Sequence, residues 1–417
     1  MRYTITAPQR LDAAVKLPAS KSISNRALII YALTEDSVFP ENLSVCDDTE
    51  VIVNALRDRP ETIDIRAAGT AMRFMTAYLA VTDGTHILTG TERMKQRPVK
   101  ILVDTLRYLG ADIEYLEKEG FPPLKITGRK LEGGSVEMAG NVSSQYISAL
   151  LMIAPKLTRG LELKLTDGIT SRPYIDLTLC LMRDFGASAD WTGADTIKTE
   201  PKPYEARPFI VESDWSAASY WYEILALCDE TDTDIRLTGL VDGSRQGDTA
   251  VRYLFSLLGV KTKFEADKQG VPATAVLRKL SRPLPRLEYN FINQPDVAQT
   301  FIVTCCMADI PFRFKGLKTL KIKETDRINA MKTEMRKLGY VVRSEDDDEL
   351  YWDGERCEAD PHPVIETYED HRMAMSFAPV SLVRPNITIN HPEVVSKSYP
   401  SFWNDLRAAG FQIEETP

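Results

Sequence analysis

Two short runs hold the densest chemistry in this chain. Lys323, Glu324, Asp326 and Arg327 fall within the five positions KETDR, and Asp370, His371 and Arg372 lead straight into the apolar stretch MAMSFAPVSL. A titratable trio set against a segment that must be buried is costly unless it binds something. Carboxylates can take or give protons and cations can hold anions. Each run therefore reads as a surface ion network or as part of a polar site.

Other polar groups gather in the same kind of place, ahead of an apolar helical pattern. Lys21, Ser22 and Arg26 open SISNRALIIYAL, with Arg26 four residues after Ser22 and so on the same face. Gly69 permits close backbone approach in AAGTAMRF, Thr70 can cap, and Arg73 lies one turn inward among apolar neighbours. Arg97 stands at a helix mouth because Pro98 follows it. Ser143, Ser144 and Gln145 put two hydroxyls and an amide at one start, while Ser171 and Tyr174 flank Pro173 at another. Lys397 closes the series in VSKSYP. Each cluster also has a plain reading as a cap or a solvated charge run. Together they suggest an anion site, because a helix N-terminus carries unpaired N–H groups and about half a positive charge.

The elements that position these residues repeat. An amphipathic helix ending at a glycine and followed by an alternating strand recurs at Gly110, Gly186, Gly259, Gly339 and Gly410, spaced 71 to 80 residues apart. A more apolar helix with a polar start recurs at Gly69, Ser143, Asp214, Asp296 and Asp370. SISNRALIIYAL and DTEVIVNALRDR supply a sixth pair of helices in a shorter repeat, expected to lack about one strand–helix piece. The pattern predicts an α/β fold of six βαβα-type units, three in each of two domains. Helices apolar nearly all round belong under the sheets.

A length of 417 residues also favours two domains. A net charge of −9 argues against nucleic acid, though local cations can still dominate a cleft. Six cysteines without CxxC spacing and four scattered histidines give no metal site and read as reduced thiols. No stretch approaches the roughly 20 apolar residues of a membrane span. The N-terminus lacks a signal-peptide core, so a cytoplasmic location is expected.

Taken in order, LPASKSISNR, GTAMR, SSQ, KETDR, DHRMAM and SKSYP resemble the 5-enolpyruvylshikimate-3-phosphate synthase (3-phosphoshikimate 1-carboxyvinyltransferase) family of enolpyruvyltransferases over nearly the whole chain. The resemblance implies an inverse α/β barrel in each domain, with residues 1–17 plus 214–417 forming one and 18–213 the other. It places the active site in the cleft between them. It implies transfer of the enolpyruvyl group of phosphoenolpyruvate to the 5-hydroxyl of shikimate 3-phosphate, with release of phosphate, in aromatic amino-acid (chorismate) biosynthesis. Ser22, Arg26, Ser143, Ser144, Gln145, Ser171, Tyr174, Asp296 and Lys323 would then bind shikimate 3-phosphate. Lys21, Gly69, Arg97, Gln145, Arg327, Arg372 and Lys397 would bind phosphoenolpyruvate, in a pocket that glyphosate targets in the family. Asp296 would be the base for the hydroxyl and Glu324 the proton donor to the methylene, with Lys21 competing for that role. No cofactor or metal is implied, and a monomer is expected.

Ala67 stands where the family usually has Asn, and Thr319 where some members have Asn. Both put affinity in question more than reaction type. The alternatives are the sister enzyme acting on UDP-N-acetylglucosamine, expected to show Lys-Asn in place of Lys21-Ser22, and a non-catalytic phosphometabolite-binding protein on the same scaffold. An acid–base pair such as Asp296 and Glu324 speaks against the second, because binding alone requires none.

Overall fold

All five repeat glycines sit just beyond a helix in the left-handed region, with φ of 101° at Gly110, 85° at Gly186, 95° at Gly259, 91° at Gly339 and 97° at Gly410. A side chain there would crowd the following carbonyl, so glycine closes the helix and turns the chain into the next strand at no steric cost. The spacing seen in the sequence is thus a spacing of helix ends. The computed structural model describes residues 1–229, 233–265, 270–279 and 282–416.

The chain divides into two units, residues 19–211 and residues 1–18 with 212–417, each with its own apolar core. The first contains α1 (Lys21–Leu33), α2 (Asp47–Asp58), α3 (Gly69–Ala80), α4 (Lys100–Tyr108), α5 (Ser144–Ile153) and α6 (Arg172–Asp184). One of its sheets orders the strands Thr62–Asp64, Thr85–Thr89, Leu124–Thr127 and Asp112–Tyr115. The other orders Gly134–Ala139, Leu161–Thr166, Thr196–Thr199 and Ala189–Trp191. In both, the first pair is parallel and the remaining pairs antiparallel.

The second unit contains α7 (Trp215–Leu227), α8 (Ala250–Leu257), α9 (Ala298–Met307), α10 (Arg327–Lys337), α11 (His371–Phe377) and α12 (Phe402–Ala408). Its three sheets keep the same pattern of one parallel and two antiparallel pairings. Two are completed from a distance. Strand Ala13–Lys16 pairs in parallel with Asp234–Val241 after the chain has run through the whole other unit, and Arg2–Thr6 fills the last sheet beside Gln412–Thr416.

The helix joining each parallel pair is the buried one. Every residue of α3, α9 and α11 is buried, whereas the helix that follows each second strand is amphipathic, as in α4 with Leu102, Val103 and Leu106 inward. Apolar periodicity on one face gives the outer helix, and apolarity all round gives the inner one.

One expectation changes in detail. The shortened first repeat keeps both its helices, α1 and α2, and loses its sheet, in place of one strand–helix piece. Among the described residues 34–46 the only ladder contact is an isolated bridge from Glu41 to Ile210. Near the division, Ser213 Oγ donates to the Leu17 carbonyl and the Asp214 amide to that of Pro18. Those bonds tie Pro18 and Ser213 to the strand at Asp234–Val241, whose Gly239 carbonyl accepts from the Ser213 amide.

Candidate active site

In the unit of residues 1–18 and 212–417, KETDR and DHR meet on one guanidinium. Arg327, 1 % exposed, donates from Nε to Asp370 Oδ2 at 2.6 Å, from Nη1 to Asp296 Oδ1 at 2.9 Å and from Nη2 to Glu324 Oε2 at 2.9 Å. Asp326 caps α10 by accepting from the Asn329 amide, and this fixes Arg327 as the first helical residue. Asp370 does the same for α11, accepting from the Arg372 amide at 2.9 Å. One buried carboxylate thus orients two arginines.

Asp296 sits where the cations converge. Its Oδ1 is 3.1 Å from Lys323 Nζ as well as bonded to Arg327, and its Oδ2 is 3.5 Å from Arg372 Nη2. Burial alone would push this carboxyl up. Lys323, Arg372 and Arg327 outweigh it and hold the group well below the usual carboxylate range. Burial similarly works against the Arg327 charge, but Asp370, Glu324 and Asp296 more than restore it. Three cations and three carboxylates make a cluster that is nearly neutral when fully ionised. His371 Nδ1 lies 4.0 Å from Asp370 Oδ1, beyond hydrogen-bond reach of that oxygen.

Lys397 reaches the same helix start, with Nζ donating to the Glu369 carbonyl at 2.7 Å. Tyr368 and Glu369 there take consecutive left-handed φ of 53° and 56°, a conformation costing roughly 1–2 kcal/mol per residue for side chains with a Cβ. The Lys397 contact and the Tyr368 hydroxyl, which donates to Glu334 at 2.6 Å, help hold the turn that presents Asp370 and Arg372.

The unit of residues 19–211 is built differently. Arg26, 2 % exposed, donates to the Thr178 hydroxyl at 2.7 Å, the Ser22 carbonyl at 2.8 Å, the Ser148 hydroxyl at 3.1 Å and the Tyr174 carbonyl at 3.4 Å. All these partners are neutral, and burial lowers its pKa to about 10. The bonds tie the start of α1 to α5 and α6, so Ser22, Arg26 and Tyr174 are brought together. Ser171, the buried N-cap of α6, has a left-handed φ of 55°.

Gly69 opens α3 with no side-chain cap, since Ala67 and Ala68 precede it. A Cβ on Gly69 would fall 2.6 Å from Arg97 Nη1 and 2.9 Å from Arg73 Nη1, so glycine is what lets two guanidiniums lie against this helix start. Arg73 donates to the Gly69 carbonyl at 2.8 Å. Arg97 Nε is buried with no hydrogen-bond partner among the described residues. Gln145 joins this group through its amide, which donates to the Thr70 hydroxyl at 3.0 Å, and Ser143 caps α5 by accepting from the Gln145 backbone at 3.3 Å. Ser144 follows in the first turn of that helix and is buried. Lys21 lies 3.2 Å from Asp48 at the start of α2.

Several site members were not singled out from sequence. Asp48 belongs to no motif, and its pairing with Lys21 spans 27 positions. Tyr220 and Asp248 carry no motif at all. Asp370 was legible as part of DHR, but its grip on Arg327, 43 residues away, was not. Among the described residues no group of three or more His, Cys, Asp and Glu side chains could hold a metal, and no helix is long and apolar enough to cross a membrane.

Solved structures share this arrangement of buried helices under mixed four-stranded sheets. An EPSP synthase from Acinetobacter baumannii matches with a TM-score of 0.79 over 99 % of this chain and 100 % of that one, at 21 % identity. The enolpyruvyl transferase NikO from Streptomyces tendae matches with a TM-score of 0.70 over 100 % and 99 %, at 19 % identity. The family model for EPSP synthase (3-phosphoshikimate 1-carboxyvinyltransferase) matches residues 5–59 and 57–406. A 3-phosphoshikimate 1-carboxyvinyltransferase of Bacteroides fragilis is 58 % identical over 414 residues, 99 % of each chain. One of Sulfurovum sp. is 35 % identical, covering 95 % of this chain and 96 % of that one. The chain belongs to the EPSP synthase family.

Proposed function

We infer that this chain transfers the enolpyruvyl group of phosphoenolpyruvate to the 5-hydroxyl of shikimate 3-phosphate and releases phosphate. The reaction is an addition followed by an elimination. The hydroxyl oxygen bonds to C2 of phosphoenolpyruvate and loses its proton while the C3 methylene gains one, giving a tetrahedral ketal. Loss of a C3 proton then expels phosphate. Charge develops on phosphate and carboxylate groups throughout, so preset cations are worth most at the transition state.

The observation that carries this reading is Asp296, a carboxylate held ionised among Lys323, Arg327 and Arg372. A base must be unprotonated before substrate arrives, and it must become more basic once substrate is bound. Both follow if anionic substrates draw Arg372 and Lys323 away from it, because the pull on its pKa then weakens. We assign Asp296 to the hydroxyl proton and Glu324 to the methylene. Glu324 can give a proton only after its bond from Arg327 is loosened, so Lys21, paired with Asp48, stays a second candidate.

In the same proposal Ser22, Arg26, Ser143, Ser144, Gln145, Ser171, Tyr174, Asp296 and Lys323 engage shikimate 3-phosphate. Lys21, Gly69, Arg97, Gln145, Arg327, Arg372 and Lys397 engage phosphoenolpyruvate. The buried Arg26 supports this assignment, since its neutral partners leave its charge available to a carboxylate. A cytoplasmic monomer belongs to the same reading, and light scattering at working concentration tests the oligomeric state.

Phosphate release measured with both substrates, and with each alone, decides the main point. Release only with both supports the transferase. Binding of shikimate 3-phosphate by calorimetry without release would reject it in favour of a binding protein.

A further inference from the structure

Tyr146 is a buried phenol that neither substrate assignment uses. It stands in the first turn of α5, 6 % exposed, and its hydroxyl donates to the carbonyl of Pro98 at 2.5 Å. A second buried side chain reaches the same oxygen, because Arg73 of α3 donates to it from Nη2 at 3.4 Å. The guanidinium carbon of Arg73 also lies 5.7 Å from the centre of the Tyr146 ring, within the range of a cation–π contact. Two helices thus close on one carbonyl, from 48 and 25 residues away in the chain.

That carbonyl belongs to the residue after Arg97. Proline has no N–H, so the peptide joining Arg97 to Pro98 offers no donor of its own. On either side, the Arg97 amide donates to the Met94 carbonyl and the Val99 amide to that of Gly120, each at 2.9 Å. Arg97 is extended, with φ of −91° and ψ of 124°, as the ring of a following proline favours. Its side chain is less tied. Nε is buried with no hydrogen-bond partner among the described residues, and a Cβ on Gly69 would come within 2.6 Å of Nη1 and 2.8 Å of Nη2. The place of the guanidinium therefore follows from the place of its backbone, and the Pro98 carbonyl is where α3 and α5 fix that backbone.

We propose that Tyr146 is a positioning residue for Arg97, whose hydroxyl anchors the Pro98 carbonyl and thereby holds the guanidinium over Gly69. The inference rests on the assignment of Arg97 to phosphoenolpyruvate, and Tyr146 itself touches no substrate. Its physics is preorganisation. An arginine whose backbone is already fixed loses less freedom when the anion arrives, so more of the contact energy appears as affinity. Without the hydroxyl, the carbonyl keeps only the longer bond from Arg73, and more of the ordering falls to the binding step. The start of α5 does not depend on the same bond, because Ser143 caps it by accepting from the Gln145 amide at 3.3 Å. The loss should therefore fall on one substrate.

Tyr146→Phe removes one oxygen and keeps the ring in the core. At saturating shikimate 3-phosphate, KM for phosphoenolpyruvate should rise about fivefold, the effect of one ordinary hydrogen bond, with kcat altered less than KM. The dissociation constant for shikimate 3-phosphate, measured by calorimetry, should stay as in the wild type. A general loosening of α5 would weaken that binding too, since Ser143, Ser144 and Gln145 lie at the same helix start. An unchanged KM for phosphoenolpyruvate, or equal weakening of both substrates, overturns the proposal. Arg97→Ala completes a double-mutant cycle. Alone it should raise KM for phosphoenolpyruvate at least about tenfold, and adding Tyr146→Phe should then change nothing further, because no guanidinium is left to place. A further rise in the double variant overturns the positioning role. If Arg97→Ala leaves KM unchanged, the assignment of Arg97 fails and the proposal with it; if it raises KM while Tyr146→Phe does not, only the positioning role fails.

Discussion

The two units set their buried arginines in opposite electrostatic surroundings. In one, Arg327 is surrounded by Asp370, Asp296 and Glu324, and the local charge nearly cancels. In the other, Arg26 rests on hydroxyls and carbonyls, and Arg97 and Arg73 crowd the uncapped start of α3. A cation on neutral partners is ready to bind, because nothing charged need be displaced. A cation among carboxylates binds only by exchanging partners, and that exchange changes the protonation of whatever it leaves. Binding without chemistry suits the first arrangement, and proton transfer suits the second.

Catalysis gives the largest effect that could break this comparison. Asp296→Asn keeps the size of the side chain but removes the carboxylate proposed as the base. Turnover should fall by about 10²–10⁴-fold, with shikimate 3-phosphate affinity changed far less. Arg26→Gln should do the reverse, weakening that affinity while sparing kcat at saturation. Equal losses in kcat from both variants, measured by phosphate release, would mean the division of labour is wrong.

Stability draws the same contrast more finely. Arg327→Met strands three carboxylates in a buried site and should cost about 3–5 kcal/mol. Arg26→Met leaves only neutral acceptors unpaired and should cost about 1–3 kcal/mol. Urea denaturation of the two variants, with shared m-values, would show whether the gap exists.

Gly69→Ala tests how closely the cations crowd α3. Its Cβ would need the space of Arg97 Nη1, 2.6 Å away, and the long side chain can swing aside. The fold should hold while KM for phosphoenolpyruvate rises about tenfold, equal to about 1.4 kcal/mol. An unaltered KM would show that Arg97 needs no fixed place.

The contrast between the units was only partly legible in the sequence. The repeat was plain, because Gly110, Gly186, Gly259, Gly339 and Gly410 each mark a helix end that only glycine closes cheaply. Arg26 and Ser22 were legible as a pair because four residues on one helix share a face. The pairing state of each arginine was not. Arg327 lies 31 residues from Asp296 and 43 from Asp370, and Arg26 lies 152 from Thr178. No local periodicity reports contacts made between helices of different repeats. The first repeat misled for a related reason. α1 and α2 could be read from their apolar patterns, but the absence of a sheet between them could not, since a missing strand leaves no residue to read.

The smallest effect sharpens the comparison from outside the site. Glu223 is a carboxyl fully buried in α7, on the helix that also carries Ser216 and Tyr220. Burial pushes it well above the usual carboxylate range, with the neighbouring Thr304 hydroxyl pulling only partly back. The sign follows from its folded value lying above its unfolded one. Below the unfolded value near 4 both states hold the proton, and stability is lost progressively as pH rises from there toward the folded value. Glu223→Gln removes that loss without changing shape, so it should raise the melting temperature at pH 8 by a few degrees and hardly at all at pH 5. Asp296 is 22 % exposed, and Asp296→Asn should show the opposite trend, because its cations hold it ionised and its contribution is lost only in acid. If the two variants respond to pH in the same direction, burial has outweighed the three cations at Asp296.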